Sequence, residues 1–325
     1  MSNASKEGAL ILAIPSKGRL KEQVEAWLAD AGLPISAPSG GRGYTARIAA
    51  LPGVEVRLLS ASDIASALDS GEVHLGVTGE DLLRERGGDI DSRVMLLRAL
   101  GFGRADLIVA APRSWLDVDT MADLEEVAHL HLARTGRRLR VATKYIAQTR
   151  EFFAQRGVAD YRIVESGGAT EGAPASGAAE IIVDITTTGA TLAANHLKIL
   201  GDGVILRSQA QLAASLTVGW TDAHLAIVGQ LLGVVEARGR AKGSVMLVWP
   251  AERDEAARAA LAELVARGAR PRANGLLIAE GELLAAQGLL ARAGIGPVAA
   301  SRPEHLFEPV SAAADALTAA VNGKN

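Results

Sequence analysis

The chain has 325 residues, with 34 Lys and Arg against 37 Asp and Glu and no cysteine. This length exceeds that of one ordinary domain, the near balance of charge argues against a nucleic-acid partner, and the lack of cysteine excludes disulfides, thiolate metal sites and cysteine nucleophiles. Residues 1–8 are polar, and the apolar run Ala9–Ile14 is too short for a signal peptide or a membrane span. We therefore expect a cytoplasmic protein without a membrane partner.

Short apolar runs alternate with amphipathic stretches, which predicts an α/β fold built from βαβ units. Aromatic residues make up only 3% of the chain, so its cores consist of Ala, Val, Leu and Ile, as is typical of parallel sheets covered by helices on both faces. The predicted strands are Leu10–Ile14, Val54–Leu59, Val73–Thr78, Ala105–Ala111, Arg140–Thr143, Tyr161–Glu165, Glu180–Ile185 and Val204–Arg207. The predicted helices are Leu20–Ala31, Ile64–Ser70 with Asp63 as its N-cap, Asp81–Glu85, Ile146–Gln155, Thr191–Leu200 and Asp222–Arg238.

A further unit is predicted after the basic, glycine-containing segment Arg238–Gly243, which we interpret as a linker. The patterns beyond it read β-α-β-α-β and are followed by a tail that contains several prolines and an alanine-rich helix. The predicted elements of this unit are strand Ser244–Trp249, helix Asp254–Arg267, strand Gly275–Ala279 and helix Glu282–Ala293.

The most informative motif is the segment Ala179–Leu192, in which an apolar strand ends in an acid, passes through a hydroxyl-rich turn and opens a helix. Such a turn aims backbone N–H groups and a helix N-terminus at one spot, so it predicts a phosphate site without lysine or arginine. The candidate residues of this turn are Thr186, Thr187, Thr188, Gly189, Ala190 and Thr191. Asp184 is placed to accept hydrogen bonds from sugar hydroxyls. The alternative is an ordinary strand-to-helix turn capped by threonine.

A second motif, Ser16–Lys17–Gly18–Arg19, directly follows the first predicted strand. Ligands bind beyond the carboxyl ends of strands in open α/β sheets, so Lys17 and Arg19 form a cationic rim there that suits a pyrophosphate. The alternative is a solvated turn before a helix.

A third motif places glycines and acids at the end of the strand Val73–Thr78. Its candidate ligand-binding residues are Gly76, Thr78, Gly79, Glu80 and Asp81. The alternative is that the acids cap the next helix. We interpret His74, which lies within the strand pattern, as structural.

These three motifs together, in this order and spacing, resemble the ATP phosphoribosyltransferase family, the first enzymes of histidine biosynthesis. The resemblance extends over about residues 10–240, and the segment Asp184–Leu192 is its most specific part. Further matching segments are Leu100–Gly103, Arg140–Tyr145, Glu171–Pro174 and Leu206–Ser208.

The resemblance implies a two-lobe catalytic core similar to type II periplasmic binding proteins, followed by a C-terminal α+β domain of regulatory type. Residues 1–103 and 205–240 are expected to form lobe I, and residues 104–204 lobe II with the phosphate loop. Residues 241–325 are expected to form the C-terminal domain, because the length resembles that of the family's long form. That form carries a βαββαβ module that binds histidine, but the sequence shows no sign of the central hairpin.

The activity implied by the resemblance is transfer of the phosphoribosyl group of phosphoribosyl pyrophosphate to N1 of ATP, with Mg²⁺ carried mainly by the pyrophosphate substrate and no metal ligands supplied by the protein. The loop 186–191 would hold the 5′-phosphate, and Asp184 and Glu171 would face the ribose hydroxyls. Lys17 and Arg19 would stabilise the departing pyrophosphate, and residues 76–81 would line the nucleotide side. The family also implies a homo-oligomer, a dimer or a hexamer, and histidine as a feedback inhibitor.

Two residues depart from the family pattern, which commonly has Asp in place of His74 and Pro in place of Ile146. Two other functions remain as alternatives. One is a non-catalytic two-lobe module that binds a small molecule. The other is a nucleobase-salvage phosphoribosyltransferase, whose loop usually follows paired acids, whereas Val183 precedes Asp184 here.

Overall fold

Three β-sheets organise the part of the chain that the computed structural model describes, which comprises residues 8–36, 45–249, 255–272 and 275–323. The strands are β1 (Leu10–Pro15), β2 (Ile35–Ser36), β3 (Thr45–Ile48), β4 (Val54–Leu59), β5 (Leu75–Gly79), β6 (Val94–Ala99), β7 (Ala105–Pro112), β8 (Leu139–Thr143), β9 (Tyr161–Glu165), β10 (Ile181–Thr186), β11 (Leu197–Ser208), β12 (Ala210–Ser215), β13 (Ser244–Val248), β14 (Arg270–Arg272), β15 (Gly275–Ala279) and β16 (Ala299–Ser301).

The helices are α1 (Gly18–Asp30), α2 (Ala61–Ser70), α3 (Glu80–Arg84), α4 (Met121–Thr135), α5 (Ile146–Gln155), α6 (Ala190–Ala194), α7 (Asp222–Ala241), α8 (Glu255–Ala266), α9 (Leu283–Arg292) and α10 (Ala312–Asn322). Among the described residues, no helix combines the length and the hydropathy needed to cross a bilayer.

Lobe I is built on a seven-stranded sheet with the order β2-β3-β4-β1-β5-β12-β6. Strand β1 lies between β4 and β5 and is parallel to both, so the carboxyl ends of these three strands meet at one edge. Val24 and Leu28 on one face of α1 are fully buried against this sheet. The edge therefore carries the residues that follow Pro15, Leu59 and Gly79, and this is the edge where α/β sheets bind ligands.

Lobe II is built on a five-stranded sheet with the order β11-β7-β10-β8-β9. Strands β8, β9 and β10 are parallel, and the antiparallel strand β7 separates β10 from β11. The chain passes from β6 of lobe I to β7 of lobe II and returns between β11 and β12. The two-lobe core is therefore confirmed. The return lies at Gln209, because β11 pairs with β7 as far as Ser208, and not at residue 205 as the sequence predicts.

The C-terminal domain contains the βαββαβ arrangement, in the order β13, α8, β14, β15, α9, β16. Its sheet is antiparallel, with the order β14-β15-β13-β16. The structure contains the central hairpin of which the sequence shows no sign, since β14 pairs with β15 through Arg270↔Leu277 and Arg272↔Gly275. Strand β14 has only three residues, all exposed, so it carries no hydrophobic alternation that a sequence pattern could reveal.

The last helix, α10, leaves the C-terminal domain and packs on α7 and β6 of lobe I. Leu317 on α10 is fully buried within the lobe I core. Ser311, the N-cap of α10, donates a 3.0 Å hydrogen bond to Glu236 on α7, and the N–H of Leu306 donates to the carbonyl of Ala237. Residues 312–322 therefore complete lobe I, although the predicted boundary assigned them to the domain 241–325.

The clearest local differences from the predictions lie at the ends of helices. The helix predicted over Thr191–Leu200 ends at Ala194, because His196 adopts a positive φ of 56° and the chain then joins the lobe II sheet as β11. The segment predicted as a linker is helical through Ala241. The N-cap of α2 is Ser60, whose hydroxyl accepts a hydrogen bond from the N–H of Asp63, the residue that the sequence favoured as the cap.

Candidate active site

A cavity of about 270 Å³ opens at the carboxyl edge of the lobe II sheet, where β10 ends. Strand β10 reaches this edge from the core, because Ile181 and Val183 are buried while the polar residues come only at its end. The predicted site residues that line the cavity are Glu171, Asp184, Thr186, Thr187, Thr188, Ala190 and Thr191. The structure thus brings together the motif at 184–191 and Glu171, which lies well before it in the chain.

The loop between β10 and α6 is held by its own threonines. The N–H of Gly189 donates a 2.9 Å hydrogen bond to Oγ1 of Thr186, and the N–H of Ala190 donates a 3.4 Å bond to Oγ1 of Thr188. Each hydroxyl that accepts in this way keeps its own proton for a ligand. Gly189 has φ = 73°, and a Cβ placed on it would meet no atom within 4 Å. The space above Gly189 is therefore open to an incoming group.

The carboxylate of Asp184 is half-buried beside the loop, and its Oδ1 accepts a 2.8 Å hydrogen bond from the N–H of Ile185. Burial raises the pKa of Asp184, and the negative charge of Glu171 raises it further, while the N–H of Ile185, the Lys144 ammonium and the hydroxyl of Thr170 act in the opposite direction. Two carboxylates that repel each other at a cavity wall are suited to bind hydroxyl groups or a cation.

Lys17 and Arg19 lie on lobe I, where β1 leads into α1. Both side chains are exposed, and neither forms an ion pair or a hydrogen bond with another residue in the described part of the chain. Gly18 between them has φ = 76°, a left-handed conformation that favours glycine. The two cations are therefore free at the carboxyl edge of the lobe I sheet, and their role toward a pyrophosphate stays a prediction.

Gly76 and Thr78 lie within β5, inside lobe I. A Cβ on Gly76 would come within 2.6 Å of Ile64, so this glycine allows α2 to pack on the strand. Thr78 is fully buried and donates a 2.7 Å hydrogen bond to the carbonyl of Ala61. The structure therefore does not bring these two residues to the cavity, because the packing of α2 on β5 covers them.

Glu80 and Asp81 follow Gly79 as the first two residues of α3. Asp81 is buried and accepts hydrogen bonds from Oη of Tyr145 at 2.7 Å and from Oγ of Ser208 at 2.8 Å. A Cβ on Gly79 would clash with the Asp81 carboxylate, so a larger residue there would displace Asp81 from its hydrogen bonds. Glu80 accepts a 2.9 Å hydrogen bond from Gln211. Partners within the protein thus occupy both carboxylates that the sequence assigned to the nucleotide side.

The two departures from the family pattern lie away from this cavity. His74 immediately precedes β5, at the opposite edge of the sheet, where its Nδ1 accepts a 3.1 Å hydrogen bond from the N–H of Ile11. Its ring packs against Trp220 and His224, and burial together with His224 lowers the pKa of His74 to about 4. Ile146 is the first residue of α5. The interpretation of His74 as structural agrees with this position.

A second cavity, of about 400 Å³, shares Ala105, Thr186 and Thr187 with the first. Sequence reasoning missed the residues that complete its wall, which are Arg104, Asp106, Arg207, Ser208 and Gln209. These residues come from two distant segments that only the pairing of β7 with β11 brings together, so no local pattern predicts this wall, although Leu206–Ser208 is one of the segments that carry the resemblance. Among the described residues, no group of three or more His, Asp or Glu side chains could hold a metal ion.

Comparisons with known proteins agree with this architecture. The family described as "HisG: ATP phosphoribosyltransferase" matches residues 60–232. An ATP phosphoribosyltransferase from Caulobacter vibrioides (strain NA1000 / CB15N) is 67% identical over 97% of this chain and 98% of its own length. One from Bradyrhizobium sp. (strain ORS 278) is 58% identical over 72% of each.

Among solved structures, the ATP phosphoribosyl transferase (HisG:HisZ) complex from Thermotoga maritima has a chain that aligns with a TM-score of 0.53 and 24% identity, covering 70% of this chain and 98% of that one. This structural match supports the fold of the core, while the identity to the Caulobacter relative extends over nearly the whole chain. The chain therefore belongs to the ATP phosphoribosyltransferase family.

Proposed function

We propose that the cavity at the end of β10 is the place where this chain transfers the phosphoribosyl group of phosphoribosyl pyrophosphate to N1 of ATP. The products are N1-(5-phosphoribosyl)-ATP and pyrophosphate, and the reaction is the first step of histidine biosynthesis. The observation that supports this location is the open loop 186–191 beside two carboxylates, Asp184 and Glu171, in one cavity. Membership of the family argues against both alternatives that the sequence leaves open, a binding module and a salvage enzyme.

The loop 186–191 binds the 5′-phosphate of the sugar in this proposal. The hydroxyl protons of Thr186 and Thr188 remain available after each oxygen has accepted a backbone N–H. The space above Gly189 admits the phosphate oxygens close to the backbone. A phosphate held by hydroxyl and backbone donors needs no lysine or arginine in the loop itself.

Asp184 and Glu171 bind the ribose hydroxyls and stabilise the positive charge that develops on the sugar as the bond to pyrophosphate breaks. A half-buried carboxylate acts strongly on such a charge, because little water screens it. Adenine N1 is itself the nucleophile, so the protein needs no nucleophilic side chain and forms no covalent intermediate. Positioning and charge stabilisation supply the catalysis.

Lys17 and Arg19 act from lobe I on the leaving pyrophosphate. Neither cation is neutralised by a carboxylate in the described structure, so both are free to pair with the negative charge that grows on the leaving group. The guanidinium of Arg19 offers paired donors, and the ammonium of Lys17 a point charge.

The donor set also fits Mg²⁺ carried by the pyrophosphate. Mg²⁺ in such sites keeps several waters and is held by one or two carboxylates together with phosphate oxygens. Asp184 and Glu171 are two carboxylates on one cavity wall, and no third acidic or histidine ligand joins them among the described residues. The ion would be bound to the pyrophosphate, and Asp184 and Glu171 would contact it there. The positive charge of the ion would partly neutralise the negative charge of the pyrophosphate.

Histidine is proposed as a feedback ligand of the C-terminal domain, and a homo-oligomer, a dimer or a hexamer, as the assembled form. The βαββαβ order of β13 to β16 supports the first proposal, since the family's long form carries such a module. Initial rates with and without histidine test the ligand, and light scattering of the full chain tests the assembly. A rate that does not respond to histidine contradicts the feedback role.

The activity is tested by mixing the enzyme with ATP, phosphoribosyl pyrophosphate and Mg²⁺ and following the near-UV absorbance of phosphoribosyl-ATP. The absorbance should rise only when all three are present. Replacing ATP with free adenine or another nucleobase should abolish the signal, and product formation from the free base would contradict the proposed acceptor. Asp184→Asn should lose most of the rate without loss of fold.

A further inference from the structure

The second cavity lies where the chain crosses between the lobes. Arg104 comes from the first crossover, immediately before β7, and Gln209 forms the second, between β11 and β12. The two crossovers are tied together, because the N–H of Gly101 donates a 3.1 Å hydrogen bond to Oε1 of Gln209. The cavity therefore has a fixed position beside the loop 186–191.

The register of three neighbouring strands places three side chains of this cavity next to one another. Asp106 on β7 pairs with Thr186 on β10 and with Arg207 on β11. Directly paired residues on neighbouring strands point to the same face of a sheet, so these three side chains share one face. Arg104 joins them from the crossover, and its carbonyl accepts a 3.3 Å hydrogen bond from Oγ1 of Thr187.

The charges in this cavity are not balanced internally. Neither Arg104 nor Arg207 forms an ion pair with any described residue, although Asp106 is the direct strand partner of Arg207. Other exposed arginines of lobe II, such as Arg138, are also unpaired, so the distinguishing feature of Arg104 and Arg207 is that both line one cavity. Two free guanidinium groups against one carboxylate, with threonine hydroxyls beside them, form a site for a polyphosphate.

We propose that Arg104 and Arg207 bind the triphosphate of ATP in this cavity. The inference rests on the proposed function, in which the first cavity holds the sugar and its 5′-phosphate, and Lys17 and Arg19 face the pyrophosphate. The second cavity shares the wall formed by Thr186 and Thr187, so a triphosphate there keeps the adenine of the same molecule within reach of the sugar. The pyrophosphate of the other substrate has the same chemistry, and the experiment separates the two.

The test compares Arg104→Gln, Arg207→Gln and the double variant with the wild-type enzyme. Each single change should raise the KM for ATP roughly tenfold and leave that for phosphoribosyl pyrophosphate within about twofold, because one charge-assisted contact is lost. Arg207→Lys should recover part of the loss. Arg138→Gln is the matched control, since Arg138 is exposed and unpaired among the described residues and lies before β8, at the other edge of the sheet.

Calorimetric titration of the wild type and the double variant with ATP, and separately with inorganic tripolyphosphate, provides a readout without turnover. Weaker binding of both by the double variant supports the site. Unchanged KM values for ATP overturn it, as does a rise in the KM for phosphoribosyl pyrophosphate alone, which would assign the cavity to the pyrophosphate. A wild type that binds ATP through these arginines but forms no phosphoribosyl-ATP contradicts the proposed function and leaves the polyphosphate site standing.

Discussion

The phenolic oxygen of Tyr145 donates a 2.7 Å hydrogen bond to Oδ2 of Asp81 and thereby joins lobe II to lobe I inside the protein. Ser208, at the end of β11, donates to the other carboxylate oxygen, and Nε2 of Gln148 donates to the Asp81 carbonyl. Burial raises the pKa of Tyr145, and the charge of Asp81 raises it further, so the phenol stays protonated and remains a donor. Asp81 of lobe I thus accepts three hydrogen bonds from lobe II.

Tyr145→Phe should lower the free energy of unfolding by about 1–3 kcal/mol, because the buried Asp81 carboxylate loses a donor that water cannot replace. Denaturant unfolding measures the change. Tyr161→Phe is the control, since Tyr161 is half-buried and its hydroxyl forms no hydrogen bond within the described structure. Equal stability of the two variants would mean that the bond between the lobes contributes nothing.

Gly189→Ala should raise the KM for phosphoribosyl pyrophosphate roughly five- to tenfold, because the new methyl group occupies the open space that we assign to the phosphate. The positive φ also costs about 1 kcal/mol of stability. Gly177→Ala carries the same backbone cost, as Gly177 has φ = 72° and open space around it. Only the first variant should change the KM, and a similar change in both would assign the effect to strain.

Arg19→Ala should lower kcat roughly 100-fold while weakening substrate binding little, because charge grows on the pyrophosphate only as the bond breaks. Steady-state kinetics with both substrates separate the two effects. Lys21→Ala on the same helix is the control, since Lys21 pairs with Glu25. A change confined to KM would show that Arg19 binds the ground state and the transition state equally.

As the pH is lowered, the reaction rate should begin to fall at a higher pH than it would if the essential group were a solvated aspartate. Asp184 must be ionised to act, and burial and Glu171 raise its pKa above 3.8, so it takes up a proton before a solvated aspartate does as the pH falls. Glu171→Gln removes one of the raising charges and should move the acid limb of kcat/KM to lower pH. A limb that stays in place would exclude Asp184 as its source.

Leu317→Ala should destabilise the protein by about 2–5 kcal/mol, because Leu317 is fully buried in the lobe I core. Leu284→Ala is the control, as Leu284 is 85% exposed.

The sequence alone favours a stable, active core that ends near Arg240. The packing of α10 instead predicts that this truncation, like a stop after Val310, exposes apolar surface of lobe I and causes aggregation, which light scattering would detect.

Local sequence patterns are sufficient to predict an element when the residues of that element alone determine its conformation. Helix α5 and strand β4 occur at the predicted bounds, Ile146–Gln155 and Val54–Leu59, because their apolar periodicity is complete within the segment. The turn 186–191 could likewise be identified from its own residues, since the hydroxyls and the glycine that shape it are consecutive.

What could not be predicted depends on pairing between distant segments. The role of Asp81 follows from Tyr145 and Ser208, which meet it only when the lobes assemble. The same holds for Arg207, which reaches the cavity through the register of β11 on β7. The alanine-rich pattern of α10 predicts a helix, but nothing in it indicates that Leu317 packs in lobe I and not in the nearer C-terminal domain.

The position of α10 also affects the order in which the parts of lobe I become available during translation. Strands β1 to β6 of lobe I precede lobe II in the chain and β12 follows it, but Leu317 comes only after lobe II and the C-terminal sheet, each of which has a hydrophobic core of its own. Lobe II can therefore fold on the nascent chain while α7 and β6 still expose the surface that α10 covers. Until α10 is made, a growing chain therefore exposes apolar surface of lobe I at α7 and β6, and exposed apolar surface favours aggregation.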